Sequence, residues 1–483
     1  MEKLSFCLLT VILCFPLFHG RVLRSSEGFG TADGSEEWGY TTVRPKAHLF
    51  WWLYRSTNRV ENTSSPWPTV LWLQGGPGAS GVGIGNFEEI GPLHTNLKPR
   101  NSTWLQIADL LFVDNPVGTG YSYVEDEDSL VKTDEESATD LTTLLKKLYN
   151  GNGRLQKSPL FVVAESYGGK FAVTLGLSVI KAIKAGELNL TLGGIALGDS
   201  WISPEDFVVS SLLLVNFCKL SWGRLLKDVS RLDINGEEKS NSLAQVIQKQ
   251  ITEGKFEDAT DSWGELETAI IKNSNGVDFY NFLLDEAMDP LAVTSTESGA
   301  AVAGVATQSM EKMAMPGYSR YLSSRADSSN GDIGDLLNGA IKKKLGIIPK
   351  NVSWGGQSGL VFKALKSDFM KPRINEVDEL LSLGVTVTIY NGQVDLICAT
   401  KGTEAWVQKL KWKELGEFNK IERQPIYCGR DEITRGFVKS YKNLHFYWIL
   451  NAGHFVPVDQ PCVALKMLSE ITRSPAKAPP AAV

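Results

Sequence analysis

Basic charge, cysteine and histidine are scarce in this sequence. Its 483 residues carry 49 Lys and Arg against 55 Asp and Glu, a formal charge of -6. Apart from the short run Lys342-Lys343-Lys344 the basic side chains are scattered. Such a chain offers no basic surface for a phosphate backbone, and nucleic-acid binding is disfavoured as a function class. Only 6 cysteines are present, too few for a disulfide-dense scaffold, and none stand at zinc-site spacing. Beyond the N-terminus no apolar run is long enough to span a bilayer. The 45 Gly and 20 Pro follow no period, and 13 Trp among 43% hydrophobic residues exclude a fibrous or disordered chain. What remains is a globular protein with material for a large core.

Lys3 precedes the apolar stretch Leu4 to Phe18, which is too short to cross a membrane and reads as a secretory signal peptide over residues 1–20. Its removal takes Cys7 and Cys14 away and leaves Cys218, Cys398, Cys428 and Cys462. Four cysteines allow three pairings; a Cys428–Cys462 bridge is one of them. Asn62, Asn101, Asn189 and Asn351 each begin an Asn-x-Ser/Thr glycosylation acceptor. Together these features point to a secretory route, with a secreted or vacuolar/lysosomal destination.

Thr69 to Leu73, Leu110 to Val113, Leu160 to Ala164, Val385 to Tyr390 and His445 to Leu450 are apolar, β-rich runs ending in turn residues. They predict buried strands of a mostly parallel sheet. Helix-periodic segments Asp134 to Tyr149 and Gly169 to Ala185 lie between them, so the fold class is α/β. From 201 the rhythm turns helical, including Leu243 to Glu253 and Trp263 to Lys272, and Ser/Thr/Ala/Gly-rich sequence fills 293–331. This divides the chain into a first core part (21–200), a largely helical cap insertion (201–371) with a flexible loop (293–331), a second core part (372–473) and a disordered tail (474–483).

Leu160 to Gly169 places Ser166 between an apolar strand and a run that opens with small residues. This is the setting of a nucleophile elbow, with Ala164 where the motif prefers glycine. A serine needs a base, and the base an orienting acid. Among 5 histidines, His19 lies in the signal, His445 in an apolar strand, His48 before a strand-like segment and His94 in a loop. His454 follows a strand in a Gly/Pro-framed turn, where a base belongs. Asp395, in the turn after Tyr390, supplies a carboxylate between serine and histidine in chain order. Gly76, Gly78 and Gly81 spell a literal GxGxxG, but Pro77 inside it and the secretory signal disfavour a dinucleotide; the turn reads better as an oxyanion loop. Gly198-Asp199-Ser200-Trp201 reads as a strand-end turn.

These blocks, together with Phe87 to Pro92, Asp114 to Tyr123, Asn391 to Cys398 and Ala452 to Pro457, resemble the serine carboxypeptidases, and within them the retinoid-inducible and plant serine carboxypeptidase-like 51 branch. The resemblance implies an α/β-hydrolase fold with Ser166, Asp395 and His454 as the catalytic triad and Gly76 and Tyr167 as oxyanion donors. It further implies that Gln74, Glu89 and Glu165 bind the C-terminal carboxylate of a peptide substrate. A glutamic acid donates a hydrogen bond only when protonated, so activity favoured at acidic pH follows. No cofactor or metal is expected, and no partner beyond peptide C-termini; a homodimer stays open. The competing readings are an acyltransferase using the same triad and a non-catalytic secreted glycoprotein. Departures from the wider pattern are Gln74 in place of Asn, Ala79 in place of a cysteine, and an additional apolar run from Val209 to Leu220.

Overall fold

The computed structural model describes residues 23–24, 28–60, 65–210, 220–285, 332–429 and 432–476. Ten strands make most of the main sheet: β1 (Glu36–Arg44), β2 (Ala47–Tyr54), β3 (Thr69–Leu73), β4 (Asp109–Val113), β5 (Leu160–Glu165), β6 (Leu192–Gly198), β7 (Val387–Gly392), β8 (Gln424–Tyr427), β9 (Thr434–Tyr441) and β10 (Leu444–Ile449). Their spatial order is β1-β2-β4-β3-β5-β6-β7-β10-β9-β8. From β4 to β10 every neighbouring pair is parallel, and the antiparallel pairs lie at the two flanks. The central strands β3 and β5 are buried along their whole length, which is why they read as continuous apolar runs rather than alternating ones.

β1, β6, β8 and β9 are not among the runs read from the sequence, and neither are three two-residue strands: Leu23–Arg24 and Phe29–Gly30 beyond β1, and Tyr123–Val124 paired with the start of β2. The two-residue length of these last three leaves no pattern to detect.

Helices α1 (Asp134–Tyr149) and α2 (Gly168–Lys184) pack together on one face. The Thr133 hydroxyl accepts the Glu136 N–H, and three acids fill the first turn of α1, so its start is fixed by capping and by the helix dipole. Successive side chains of β2 serve the two faces of the sheet: Trp51 joins the core under these helices, and Trp52 joins the opposite core with Trp38 and Trp72.

Between β6 and β7 come α3 (Ile234–Thr252) and α4 (Phe256–Ser274), which lie against each other. Both begin earlier than their apolar periodicity suggests. In α3 the cause is the Asp233 carboxylate, which accepts the Gly236 N–H at 2.8 Å and starts a polar turn that periodicity alone does not reveal.

The Cys428–Cys462 disulfide ties the end of β8 to α5 (Pro461–Thr472). Cys398 is a buried free thiol. Val209–Ser210 pairs with Leu220–Ser221 in an antiparallel ribbon, so the additional apolar run leaves and re-enters the fold at one point. Residues 211–219 with Cys218, the 1–20 signal with His19, the acceptor Asn62, the 293–331 loop and 477–483 of the tail lie outside the described residues. Ser474, assigned to the tail, donates to the Ile107 carbonyl at 2.6 Å. Asn101, Asn189 and Asn351 are exposed.

Candidate active site

The carboxyl ends of β5, β6, β7 and β10 lie side by side, and the chemistry is carried on the loops that leave them. Ser166 stands between β5 and α2 with φ 60° and is 8% exposed. A non-glycine residue in this left-handed region is strained and persists only where its surroundings hold it. Here they do. The Ser166 N–H donates to the Gly198 carbonyl at 3.0 Å, and its own carbonyl accepts from Gly169 at 3.0 Å and Trp201 at 2.9 Å.

Two glycines fit the turn after β3 against this elbow. A Cβ on Gly75 would lie 2.5 Å from the Ser166 Cβ and 2.9 Å from the Tyr167 nitrogen, so only glycine allows the turn to approach so closely. Gly76 follows with φ 105°, again a backbone conformation that favours glycine. Gly75 carries a role that the motif reading, centred on Gly76, did not assign.

His454 leaves the loop after β10 and is fully buried. Its Nδ1 lies 2.9 Å from Asp395 Oδ2, and Asp395 Oδ1 accepts the Cys398 N–H at 3.2 Å. The His454 N–H donates to the Tyr280 carbonyl at 2.8 Å, a contact from the segment after α4 that sequence reading did not foresee.

Beside the elbow is a cluster of carboxyls. Gln74 Nε2 donates to Glu89 Oε1 and to Glu165 Oε1, each at 2.9 Å, and the Trp72 indole N–H donates to Gln74 Oε1 at 2.6 Å. The indole fixes which end of the amide faces the acids. Glu89 is carried by a wide, π-type helix, Gly81–Ile90, an irregularity often found at functional sites. The Ser80 hydroxyl caps that helix by accepting the Gly83 N–H and donates in turn to Asp114. Burial above all raises Glu89 to about 7, against the opposing pull of its hydrogen bonds to Glu165 and Gln74. Glu88 is raised to about 8 by burial and then by Glu89. Of this adjacent pair, Glu89 is hydrogen-bonded by the Gln74 amide. Burial thus favours the protonated forms of Glu88 and Glu89 at mildly acidic pH.

Behind the elbow the polarity is handled differently. The Tyr167 hydroxyl donates to Asp134 Oδ1 at 2.7 Å, and Asp134 Oδ2 lies 3.6 Å from Lys170 Nζ and 2.9 Å from Arg373. Arg373 also reaches Asp368 at 2.8 Å and Glu135 at 2.5 Å. All of this is buried except Glu135. None of these roles was visible in the sequence.

Comparison with known proteins gives one consistent result. Residues 28–474 match the family described as serine carboxypeptidase. The chain is 61% identical to Serine carboxypeptidase-like 51 of Arabidopsis thaliana, over 92% of this chain and 93% of that protein. It is 48% identical to the retinoid-inducible serine carboxypeptidase of Rattus norvegicus, over 91% and 92%. Among solved structures, Kex1Δp, a prohormone-processing carboxypeptidase from Saccharomyces cerevisiae, superposes with a TM-score of 0.69 at 19% identity, covering 91% of each chain, and shares the α/β-hydrolase fold.

Proposed function

The chain belongs to the serine carboxypeptidase family and is a serine-type carboxypeptidase, a hydrolase; from that premise we propose that it removes C-terminal residues through a Ser166–His454–Asp395 acyl-enzyme mechanism. Ser166 attacks the last peptide carbonyl as His454 takes its proton, and Asp395 holds the imidazole and stabilises its charged form. The Gly76 and Tyr167 amides receive the negative charge of the tetrahedral oxygen. His454 then returns the proton to the departing amino group, and water releases the acyl chain by the same steps in reverse.

The observation that carries the exopeptidase reading is the amide of Gln74 bridging Glu89 and Glu165, with Glu165 immediately before the strained serine. Protonated, this pair donates hydrogen bonds to a substrate carboxylate. With Glu89 raised to about 7, that recognition is present at mildly acidic pH and lost as pH rises through neutrality. The test is release of the last residue from a peptide acid and from its C-terminal amide, across roughly pH 4 to 8. The acid is expected to be cleaved best below pH 7 and the amide hardly at all; equal cleavage of both would defeat the assignment.

The 1–20 segment as a signal peptide, glycans on Asn62, Asn101, Asn189 and Asn351, and a secreted or vacuolar destination complete the reading. The Cys428–Cys462 disulfide supports it, because such bridges persist in oxidising compartments.

A further inference from the structure

The turn Gly198-Asp199-Ser200-Trp201 is more than a strand end. Its Gly198 carbonyl and Trp201 N–H bond the backbone of Ser166, while the Asp199 N–H donates to the Tyr390 carbonyl at 2.9 Å, on the strand that leads to Asp395. Asp199 therefore sits between the nucleophile loop and the acid loop. Its backbone takes φ 41°, a strained value for a residue with a side chain, and its carboxyl is fully buried.

Three of the four oxygens in the Asp199 and Asp395 carboxyls have a defined partner. Asp395 Oδ1 takes the Cys398 N–H, Asp395 Oδ2 faces His454 Nδ1, and Asp199 Oδ1 accepts the Gly392 N–H at 2.7 Å. Among the described residues no donor reaches Asp199 Oδ2, and the Asp199 carboxyl lies within hydrogen-bonding reach of Asp395. A buried carboxylate oxygen without a donor is costly, and two adjacent buried carboxylates more so. One proton resolves both, since it turns the unmatched oxygen into a donor.

We propose that Asp199 is a positioning residue for the triad, a neutral carboxylic acid whose Oδ2–H donates to the Asp395 carboxylate and so holds a single negative charge opposite His454. The proposal rests on the triad reading above. The groups that face Asp199 are Asp395, Asp459, the Tyr390 hydroxyl and the Cys398 thiol, with His454 beyond Asp395. Burial, followed by Asp395, holds the Asp199 carboxyl well above the usual range, in agreement with a proton retained there. The donated hydrogen bond disperses charge on Asp395, so the imidazolium is stabilised less. The strength of that donor therefore sets how far Asp395 favours the imidazolium formed in catalysis.

Asp199→Asn and Asp199→Ala test this in the full-length enzyme. The asparagine amide keeps both hydrogen bonds and cannot ionise; alanine removes the donor. The acid limb of kcat/KM is expected to stay at its wild-type pH in D199N. In D199A it should move up by roughly one pH unit, with kcat lowered about tenfold to a hundredfold and KM little changed. An Asn variant whose acid limb moves down by a comparable amount would show that Asp199 is ionised, and an Ala variant with the wild-type limb would show that it does not act on the triad; either overturns the proposal. Should the alanine variant not fold, infrared difference spectra of wild type against D199N at neutral pH decide. A protonated-carboxyl band lost in the variant supports the proposal, and its absence refutes it. The pH profiles need an active enzyme with a reactive Ser166 and the infrared band does not, so a wild type that resists serine-directed inactivation would fault the triad reading and not this one.

Discussion

Two buried polar regions flank the nucleophile, and they follow opposite rules. Behind the elbow, Asp134 and Asp368 are matched by Lys170 and Arg373, with Glu135 and Glu376 at the rim. On the substrate side, Glu89, Glu165, Asp199 and Asp395 meet amides, an imidazole and one another. Matched charges anchor the Tyr167 side chain through Asp134. Burial raises Glu89 and Asp199, which favours their protonated forms and so turns acceptors into donors. One region is built for position and the other for titration.

Removing Arg373 from the matched region should give the largest loss. Arg373→Ala leaves Asp134 and Asp368 buried without their shared partner, and is expected to cost about 3–5 kcal/mol of folding stability. Chemical denaturation checks this, and an undisturbed midpoint would place the cluster with ordinary surface ion pairs.

A smaller effect, in the other direction, is expected from Glu89→Gln. The folded-state value of Glu89 is raised from 4.5 to about 7. The stability linked to it is therefore fully present below pH 4.5 and is lost as pH rises through about 7. The glutamine variant should flatten that decline and also remove the rise in KM near neutrality, because its amide donates at every pH. Denaturation midpoints and KM measured from pH 5 to 8, roughly the titration window, give both answers; an unchanged pH dependence of KM would take Glu89 out of carboxylate recognition.

Trp72→Phe should have the mildest consequence. It deletes the indole N–H that orients Gln74, a neutral hydrogen bond worth about 1 kcal/mol. KM for a peptide acid should rise about fivefold with kcat near wild type, and a loss confined to kcat would contradict the orienting role.

The two regions also differ in how far the sequence reveals them. The buried strands, the serine between strand and helix, and the aspartate and histidine in later strand-end turns are local patterns, and each could be read from a few neighbouring residues. Glu89 came only from the family resemblance, because an acid in a loop looks like any solvated acid until the Gln74 amide is seen to reach it. The matched cluster was invisible because its members meet from far apart: Arg373 and Asp134 are 239 residues distant along the chain. Asp199 was hidden for another reason. In sequence, a turn aspartate that titrates looks the same as one that caps a strand end, and only the missing donor on Oδ2 separates the two. The early start of α3 escaped because a polar, capped first turn carries no apolar period.

The central claim is that Ser166 is the nucleophile, and reaction with a serine-directed phosphonylating reagent followed by peptide mapping tests it most directly. The account predicts one adduct, on Ser166, with peptide release lost in proportion to labelling. It also predicts that Ser166→Ala takes no label and falls by on the order of 10⁵–10⁶ in kcat. Full labelling with activity intact, or activity retained by Ser166→Ala, would contradict it.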